Sequence, residues 1–355
     1  MAEFSTQQES VRTVATWGSR PTHPRYVMAD SSDPLAFGAQ AIDWSHTYEP
    51  LKSRQFFGQL RGALFDNIQI AYERVNGTFR YSGRAPRGSR IFQSLLGGTG
   101  ELHLDGRPVT AGQIVTSRWD QLGQVTCKGG AETLIVVLEE DSLQRYASAL
   151  GCEQVIWAMR APAMCTRDPS LKQRFDRAVR NSLEIVALDA PDLDRESIAT
   201  ELKQRIIDIV LELLADPEQD RRLTPPKTRH YIVNRAIELI DQSLAEQFSI
   251  ADICTKIRVA ERTLRYSFED VLGMTPTKYI RASRLNRVRR ELLSGREMTV
   301  ENAAVRSGFW HMGRFARYYR QAFGENPAHT YRASHRSLSG FARSAFLSPE
   351  CQRVR

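Results

Sequence analysis

The spacing of hydrophobic residues changes along the chain, from short alternating runs in the first half to helical periodicity further on. Residues 61–140 contain runs such as IQIAYERV, GELHLDG and TLIVVLEE, which are separated by Gly, Asn and Asp. Alternation bounded by turn residues predicts β-strands. Short strands at this spacing favour a sandwich or a small barrel. Residues 1–60 have no comparable pattern.

Two apolar stripes with helical spacing follow, and they predict helices over residues 141–215. The first stripe is Leu171, Phe175, Val179, Leu183 and Val186, and the second is Leu202, Ile206, Ile209, Val210 and Leu213. Such stripes need a partner surface. That surface is either their own domain or a second copy of the chain, in which case the stripes form a dimer seam.

A polar segment divides the chain at residues 216–228. It contains Pro217, Pro225 and Pro226, a composition typical of linkers. The chain is therefore predicted to be α+β, with a β-rich core followed by helices and then an all-α domain. The predicted parts are an N-terminal domain at 1–215 (β-rich core about 61–140, helices about 141–215), the linker at 216–228, a C-terminal domain at 229–336 and a tail at 337–355.

The C-terminal domain contains an internal repeat that predicts two similar helix starts. SIADICTKIRV begins at Ser249 and TVENAAVRSGF begins at Thr299, an offset of 50 residues. Ser and Thr are favoured helix N-caps, and a polar residue three positions later can bond back to the cap. Each short helix is followed by a turn, near Arg258 and near Gly308. At Arg258, where glycine would fit more easily, we expect a turn without positive φ.

A second helix follows each turn, RTLRYSFEDVLGMTP in the first repeat and GRFARYYRQAFGENP in the second. Gly273 and Gly324 sit where a helix would end, and each is followed three residues later by proline. Glycine just past a helix is a stop signal. The order of cap, short helix, turn, second helix and glycine predicts a helix-turn-helix motif, and the chain contains it twice.

The second helix of each motif has one ring-bearing face and one polar face at about 100° per residue. In the last helix Phe315 and Tyr319 lie on the buried side and the arginines lie opposite. Arginine donates paired hydrogen bonds to guanine or phosphate, and helix starts usually meet base edges. We therefore predict base reading by residues at the start of both helices: Arg262, Thr263, Arg265, Tyr266, Met312, Gly313, Arg314 and Arg317, of which Met312 falls nearer the core face.

Between the motifs, residues 278–293 (KYIRASRLNRVRRELL) predict a basic helix with a stripe at Leu285, Val288 and Leu292. At 1.5 Å per residue it spans about 24 Å, enough to hold two recognition helices roughly one DNA turn apart. A linking helix crosses the DNA backbone. We predict phosphate contacts for Ser249, Thr299, Arg281, Arg284 and Arg320.

Charge and composition agree with a polyanion partner. Residues 228–336 hold 19 Lys/Arg and 11 Asp/Glu, so this region carries the whole net charge of +8. The five cysteines are dispersed without metal spacing, which favours reduced thiols in the cytoplasm. Neither a secretion signal nor an apolar run long enough to cross a membrane is evident. His103 stands alone, so we predict no metal and no cofactor.

Five segments within about residues 230–333 together closely resemble the AraC/XylS family of bacterial transcriptional regulators. They are RTLRYSF, LGMTPTKYIR, SRLNRVRREL, SGFW and FGENPAHTYR. RLNRVRREL and GFWHMGRF resemble the branch of the ethanolamine-utilisation regulator. The resemblance implies a non-enzymatic, double-stranded DNA-binding activator with two helix-turn-helix motifs. It also implies a cupin-like N-terminal sensor, for which GTGELHLDGRPVTAGQI resembles the core hairpin.

Several alternatives remain open from the sequence. The regulator responds to a small-molecule effector, or it is controlled by abundance or a protein partner. A cupin-type metalloenzyme fused to a DNA-binding domain would instead contain bound metal, and an architectural protein would bind scrambled DNA equally well.

The resemblance further implies contact with RNA polymerase and a homodimer through the N-terminal domain. Effector, target genes and the direction of regulation are left undetermined.

Overall fold

A computed structural model places a β-rich N-terminal part before an all-helical C-terminal part. The structure describes residues 25–334 except for 41–44, 53–55, 66, 98–99, 120–122, 162, 189–194, 217–227, 243–248 and 295–297. Most of the predicted linker, 217–227, and the whole predicted tail, 337–355, lie outside the described residues.

The N-terminal part is built on two antiparallel sheets. The larger sheet has the strand order β1-β3-β4-β11-β6-β9-β12, and the smaller has the order β2-β5-β10-β7-β8. The strands are β1 Arg25–Ser31, β2 Ser45–Pro50, β3 Phe57–Phe65, β4 Ile68–Asn76, β5 Phe79–Arg84, β6 Ser89–Gly97, β7 Glu101–Leu104, β8 Arg107–Val109, β9 Ile114–Arg118, β10 Gln124–Lys128, β11 Gly130–Glu139 and β12 Ala163–Thr166.

The central strand β11 shows why the predicted strands form here. Its run TLIVVLEE is apolar at nearly every position, as expected for a strand buried on both faces. Leu134, Val136 and Leu138 face the helices, whereas Thr133 and Ile135 face the space between the two sheets. The larger sheet is therefore the middle layer of the N-terminal part.

The β-region is longer than the sequence predicted. Strands β1 and β2 precede residue 61, and β12 lies inside the segment predicted to be helical. The run RYVMADS of β1 is mostly exposed, so it lacks the alternation that marks a half-buried strand. The four-residue β12 is too short to show a period.

Helices cover the outer face of the larger sheet. They are α2 Glu140–Ala149, α3 Glu153–Ala158, α4 Pro169–Ala187 and α5 Arg195–Ala215, and the short α1 Pro34–Gly38 lies between β1 and β2. Both predicted stripes, on α4 and α5, join the core between these helices and the sheet. Leu202 and Leu213 are each 1% exposed within one chain. The interpretation of the stripes as a dimer seam is therefore wrong.

In its described residues the C-terminal part contains the helices α6 Thr228–Gln242, α7 Ile250–Ile257, α8 Glu261–Leu272, α9 Pro276–Leu293, α10 Val300–Arg306 and α11 Met312–Phe323, and residues 327–334 are also helical. Helices α7 and α8 form one pair and α10 and α11 form a second pair. Helix α9 joins the pairs and packs against α8, α10 and α11. Two small cores result, one around Phe268 and one around Phe315.

The predicted start and stop signals of these helices are confirmed. Ser249 and Asp252 form a reciprocal capping box, and the Thr299 hydroxyl accepts a hydrogen bond from the amide of Asn302. Gly273 and Gly324 end α8 and α11 in the left-handed conformation. The expectation at Arg258 is wrong: this residue adopts φ +56°, as Gly308 does at +81°. The fold imposes the left-handed turn in both pairs, although only one has glycine there.

Because Leu202 is buried against the sheet, Leu202→Asp should unfold the N-terminal part instead of separating two chains. We expect a loss of about 4 kcal/mol or more in the free energy of unfolding, since the change removes apolar contacts and buries a charge. Urea denaturation followed by circular dichroism measures it. Leu188→Asp is the control, because Leu188 is 73% exposed. A well-folded Leu202→Asp monomer would contradict the burial.

Candidate nucleic-acid interface

Helix α9 is the scaffold on which the two helix pairs are mounted. Its 18 residues span about 27 Å at 1.5 Å each. The predicted stripe of Leu285, Val288 and Leu292 is buried against the α10–α11 pair. At the other end Tyr279 packs edge-on against Phe268 of α8, with 5.6 Å between ring centroids. One rigid helix thus fixes both pairs.

Helix α11 has the two faces that the sequence predicted. Phe315 and Tyr319 are buried, and their rings meet edge-on at 5.7 Å. Tyr319 also donates a hydrogen bond from its hydroxyl to Thr330. The arginines at 314, 317 and 320 are exposed on the other side. The rings hold the helix to its core, and the guanidinium groups face solvent.

Helix α8 repeats this arrangement with less charge. Leu264 and Phe268 are completely buried. The predicted outward residues Arg262, Thr263, Arg265 and Tyr266 are all exposed. The Arg262 guanidinium lies 5.3 Å from the ring centroid of Tyr266, and Arg265 forms an exposed ion pair with Glu269 at 3.0 Å. Such an exposed pair contributes little to stability and leaves Arg265 free to exchange partners.

Two predicted base-reading residues at the start of α11 differ from each other. Met312 is half-buried and packs against the core around Phe315, so its side chain does not belong to the outward face. Gly313 is exposed, and a Cβ atom there would meet no other atom within 4 Å. The helix backbone is therefore bare on this side.

The predicted phosphate-binding residues fall into three groups. The hydroxyls of Ser249 and Thr299 accept hydrogen bonds from their own helices as N-caps. Arg320 is exposed and donates a hydrogen bond to Asn326 at 2.9 Å. Arg281 and Arg284 are both half-buried on α9.

The half-buried arginines of α9 take part in packing. The guanidinium of Arg281 lies 4.3 Å from the ring centroid of Tyr318. Hydrogen bonding to Arg317, together with the charge of Arg281, lowers the pKa of the Tyr318 hydroxyl. Arg284 lies beneath the turn before α11, where a Cβ on Gly308 would be 2.9 Å from its Cζ atom. Burial lowers the pKa of Arg284. Arg284 thus supports the turn from below.

Two other arginines of α9 face the N-terminal part. Arg289 is buried and donates to Asp33 at 2.5 Å, and it also pairs with Glu325 at 3.0 Å. Arg290 pairs with Glu49 of β2. The sequence placed these residues on a basic helix without indicating that they bind carboxylates more than 200 positions away.

Glu49 is the centre of this contact. It is 3% exposed and accepts hydrogen bonds from Arg80 of β5, with Oε2 at 2.9 Å from Nε and 2.6 Å from Nη2. Arg80 also pairs with Asp241 of α6. Burial acts to lower the pKa of Arg80, but the neighbouring Tyr279, Glu49 and Asp241 raise it overall, so the guanidinium stays charged.

The segment that follows Glu49 extends the contact into the helical part. The carbonyl of Pro50 accepts a hydrogen bond from Asn286 of α9 at 3.2 Å. Leu51 is buried among residues of α6 and α8, including Ile237 and Phe268. The N-terminal part thus supplies one side chain to the C-terminal core.

Trp310 is a further candidate for contact with nucleic acid, and its sequence pattern did not lead to that prediction. It is 62% exposed and stands two residues before α11, on the turn after Gly308. The run SGFW contains a clue, since two adjacent aromatic residues in a tight turn cannot both be buried. Phe309 is half-buried and packs on Phe315, with 5.1 Å between ring centroids.

His103 of β7 is buried. His103 stacks on His230 of α6 with 4.0 Å between ring centroids. Within the part of the chain that the structure describes, no group of three or more His, Cys, Asp or Glu residues is placed to hold a metal ion. The four described cysteines, at 127, 152, 165 and 254, are free thiols. Across the same ranges no helix is both long and apolar enough to cross a membrane.

Comparison with known proteins agrees with this geometry. Residues 253–333 match the family described as a helix-turn-helix domain. The chain is 30% identical over 125 residues to the probable thc operon regulatory protein of Rhodococcus erythropolis, covering 34% of this chain and 38% of that protein. It is 35% identical over 100 residues to the XylDLEGF operon transcriptional activator of Pseudomonas putida, covering 28% and 31%. The matches thus span only about a third of each relative.

Solved structures give weaker likenesses. A probable AraC family transcriptional regulator from Rhodopseudomonas palustris is 28% identical, with a TM-score of 0.28 over 29% of this chain and 96% of that chain. The AraC-like transcriptional activator CuxR is 14% identical, with a TM-score of 0.38 over 76% and 95%. The ethanolamine-utilisation branch stays a prediction. The sequence matches identify the C-terminal part of this chain, over residues 253–333, as a helix-turn-helix domain of the AraC/XylS family.

Proposed function

We propose that this protein is a sequence-specific transcriptional regulator that reads two successive major grooves with α8 and α11. One observation carries the proposal: the first two turns of α11 expose Arg314 and Arg317 on the face opposite its ring-lined core. Helix α8 exposes Arg262 and Thr263 at the equivalent place. Paired donors at a helix start suit the edges of guanine, which present two acceptors in the major groove.

The exposed glycine at the start of α11 supports the same orientation. Gly313 leaves the backbone uncovered between Met312 and Arg314, so this turn can approach a DNA strand closely. Of the predicted phosphate contacts, we assign Arg320 a direct one, because it is exposed beyond the base-reading turn. For Arg281 and Arg284 we propose mainly a supporting role under the second pair.

We further propose that the N-terminal part is a cupin-like sensor that controls the helical part. Two packed sheets enclosing a cavity support the sensor assignment. The contacts of Glu49, Pro50 and Leu51 with α6, α8 and α9 support the control. Control by abundance or by a protein partner gives no role to an enclosed cavity, so we favour a small-molecule effector.

The remaining features of the proposal follow from the relatives. The Pseudomonas putida relative is named a transcriptional activator, and we propose activation, with RNA polymerase as a partner, for this chain as well. We also propose a non-enzymatic, cytoplasmic regulator that forms a homodimer through the N-terminal part. Because both stripes of α4 and α5 are used internally, the dimer contact is expected elsewhere on that part.

Genome-wide mapping of bound DNA, followed by titration of the recovered site, tests the proposal. A defined site with two half-elements about one helical turn apart is expected from two recognition helices on one scaffold. Equal affinity for the recovered site and for a scrambled duplex would indicate an architectural protein and overturn the proposal.

Arg314→Ala should reduce specificity. We expect a loss of about 1–3 kcal/mol on the cognate duplex and little change on scrambled DNA, because a base contact discriminates between sequences. Arg320→Ala is the matched comparison. It should weaken both duplexes alike and flatten the plot of log K against log salt by about one unit. Fluorescence anisotropy at several salt concentrations measures both. Equal losses on the two duplexes for Arg314→Ala would assign that residue to the phosphates.

Two glycine substitutions should distinguish an effect on stability from an effect on DNA affinity. Gly308→Ala should lower the free energy of unfolding by about 1–2 kcal/mol, because φ is +81° and the new Cβ would contact the Arg284 guanidinium. Gly313→Ala should leave stability unchanged or raise it by up to about 1 kcal/mol. It should nevertheless weaken DNA binding, since the methyl group lies on the DNA-facing side. Thermal melts and anisotropy measure the two effects. Unchanged affinity for Gly313→Ala would argue against close backbone approach.

Arg290→Ala should loosen the contact between the two parts. Removing the guanidinium that pairs with Glu49 should speed amide hydrogen exchange in β2, as measured by mass spectrometry on the full chain. Arg287→Ala is the control, because Arg287 pairs with Glu291 within α9 at 3.3 Å. If β2 exchanges equally in both variants, the ion pair does not hold the strand to the helical part.

A further inference from the structure

The space between the two sheets contains a largely apolar cavity. Aliphatic side chains from both sheets form most of its wall, among them Leu60, Val75, Leu102 and Val125. A lining of this kind, mostly apolar with a few polar groups, is typical of small-molecule sites. Its polar groups therefore indicate which molecule fits.

One carboxylate lies in this wall. Glu73 is on β4 between Ala71 and Val75, which also line the cavity, so strand alternation turns all three inward. The Tyr48 hydroxyl of β2 donates a hydrogen bond to Glu73 Oε2 at 2.6 Å. Glu73 keeps some accessible surface despite its enclosure, because it borders open space.

Within the described part of the chain, no positive charge compensates Glu73. Among the described residues, no Lys, Arg or His nitrogen lies within 4 Å of its carboxylate. The residues that line the cavity also include no Lys, Arg or His. Burial therefore raises the pKa of Glu73 to about 7, although the Tyr48 hydrogen bond acts to lower it. A buried carboxylate without a counter-charge is costly, and a bound cation would remove that cost.

Aromatic rings lie next to this carboxylate. Tyr48 and Tyr81 both line the cavity, and their ring centroids are 5.0 Å apart. Burial, followed by the negative charge of Glu73, raises the pKa of Tyr81. Ring faces beside a carboxylate form the kind of environment that binds ammonium groups.

We infer that the cavity binds a small molecule with one protonated amine and a compact apolar body, with the ammonium group held by Glu73 and Tyr48. The body fills the space bounded by the aliphatic side chains of the two sheets. An anionic effector would face Glu73 without any cation in the wall. The inference rests on the proposed function, since it names the class of effector that the sensor part takes.

The same strands connect this site with the helical part. On β2, Tyr48 faces the cavity and the next residue, Glu49, faces outward to Arg290. On β5, Tyr81 faces the cavity and the preceding residue, Arg80, pairs with Asp241 of α6. Because neighbouring residues of a strand point to opposite faces, a ligand that moves the two tyrosines also moves both ion pairs.

Isothermal titration of the full chain at pH 8, where Glu73 is ionised, tests the inference. The probes are a series of primary amines from propylamine to 2-phenylethylamine, with 2-phenylethanol and 3-phenylpropanoate as neutral and anionic comparisons. At least one amine should bind at least tenfold more tightly than either comparison. Tighter binding of the carboxylate, or no binding by any amine at millimolar concentration, would overturn the inference.

Two variants localise the binding. Glu73→Gln should abolish the preference for the amine, and Tyr48→Phe should weaken amine binding while keeping the carboxylate. Glu132→Gln is the control, since Glu132 pairs with Arg74 on the larger sheet and does not line the cavity. Thermal melts check that each variant is folded. Full amine affinity in a folded Glu73→Gln would overturn the inference, as would an equal loss in Glu132→Gln.

The DNA-binding measurement distinguishes this inference from the proposed function. If the cognate duplex binds and no amine does, only the effector class is wrong. If the chain binds no DNA sequence specifically, the proposed function is wrong whatever the cavity binds. If the chain binds both its cognate duplex and an amine, that amine should shift the midpoint of the DNA titration for the wild type. The midpoint for Glu73→Gln should stay unchanged.

Discussion

The carboxylate of Glu49, buried between two guanidinium groups, is the interaction on which the arrangement of the two parts depends. Arg80 belongs to the same sheet, whereas Arg290 belongs to the helix that carries both helix pairs. Without both guanidinium partners Glu49 would be an uncompensated buried charge, which costs about 3–5 kcal/mol. The attraction gained within the group is partly cancelled by lost hydration. Its main effect is therefore to fix one relative position of the parts.

Strand alternation connects this interaction with the interior of the N-terminal part. A strand has two faces, and β2 and β5 each present a tyrosine to the interior and a charged residue to the helical part. The charged residues cannot shift without moving the tyrosines, because the backbone between adjacent residues is short and the strands are paired along their length. Interior packing and the position of α9 are consequently two aspects of the same backbone geometry.

The sequence predicted most of what is local and little of what joins distant segments. The caps at Ser249 and Thr299 and the stops at Gly273 and Gly324 depend on a few neighbouring residues, so they were predicted correctly. Arg258 was not, because its positive φ is imposed by the packing of α7 on α8 and not by its own preference. In α11 the ring-lined face was predicted correctly, and Met312, which falls nearer that face on the helical wheel, packs against its core.

Long-range contacts were missed for a physical reason. An arginine on a basic helix has the same local pattern whether it faces DNA, as proposed for Arg320, or a carboxylate, as Arg289 and Arg290 do. Glu73 is similar: in IQIAYERV it has the pattern of the polar side of a half-buried strand, and only the second sheet makes that side interior. Charge alone does not specify its partner.

The position of Leu51 affects how proteins with this arrangement of parts can be recombined. A hybrid made by joining another N-terminal part at the linker would leave behind Leu51, which the sheet region contributes to the core of α6 and α8. The vacancy would resemble a large-to-small core substitution, with a cost of about 2–5 kcal/mol. The C-terminal part is thus a separate segment of the sequence, but its core includes a side chain from the N-terminal part. A hybrid therefore requires that the new N-terminal part supply a residue of similar shape at the position of Leu51.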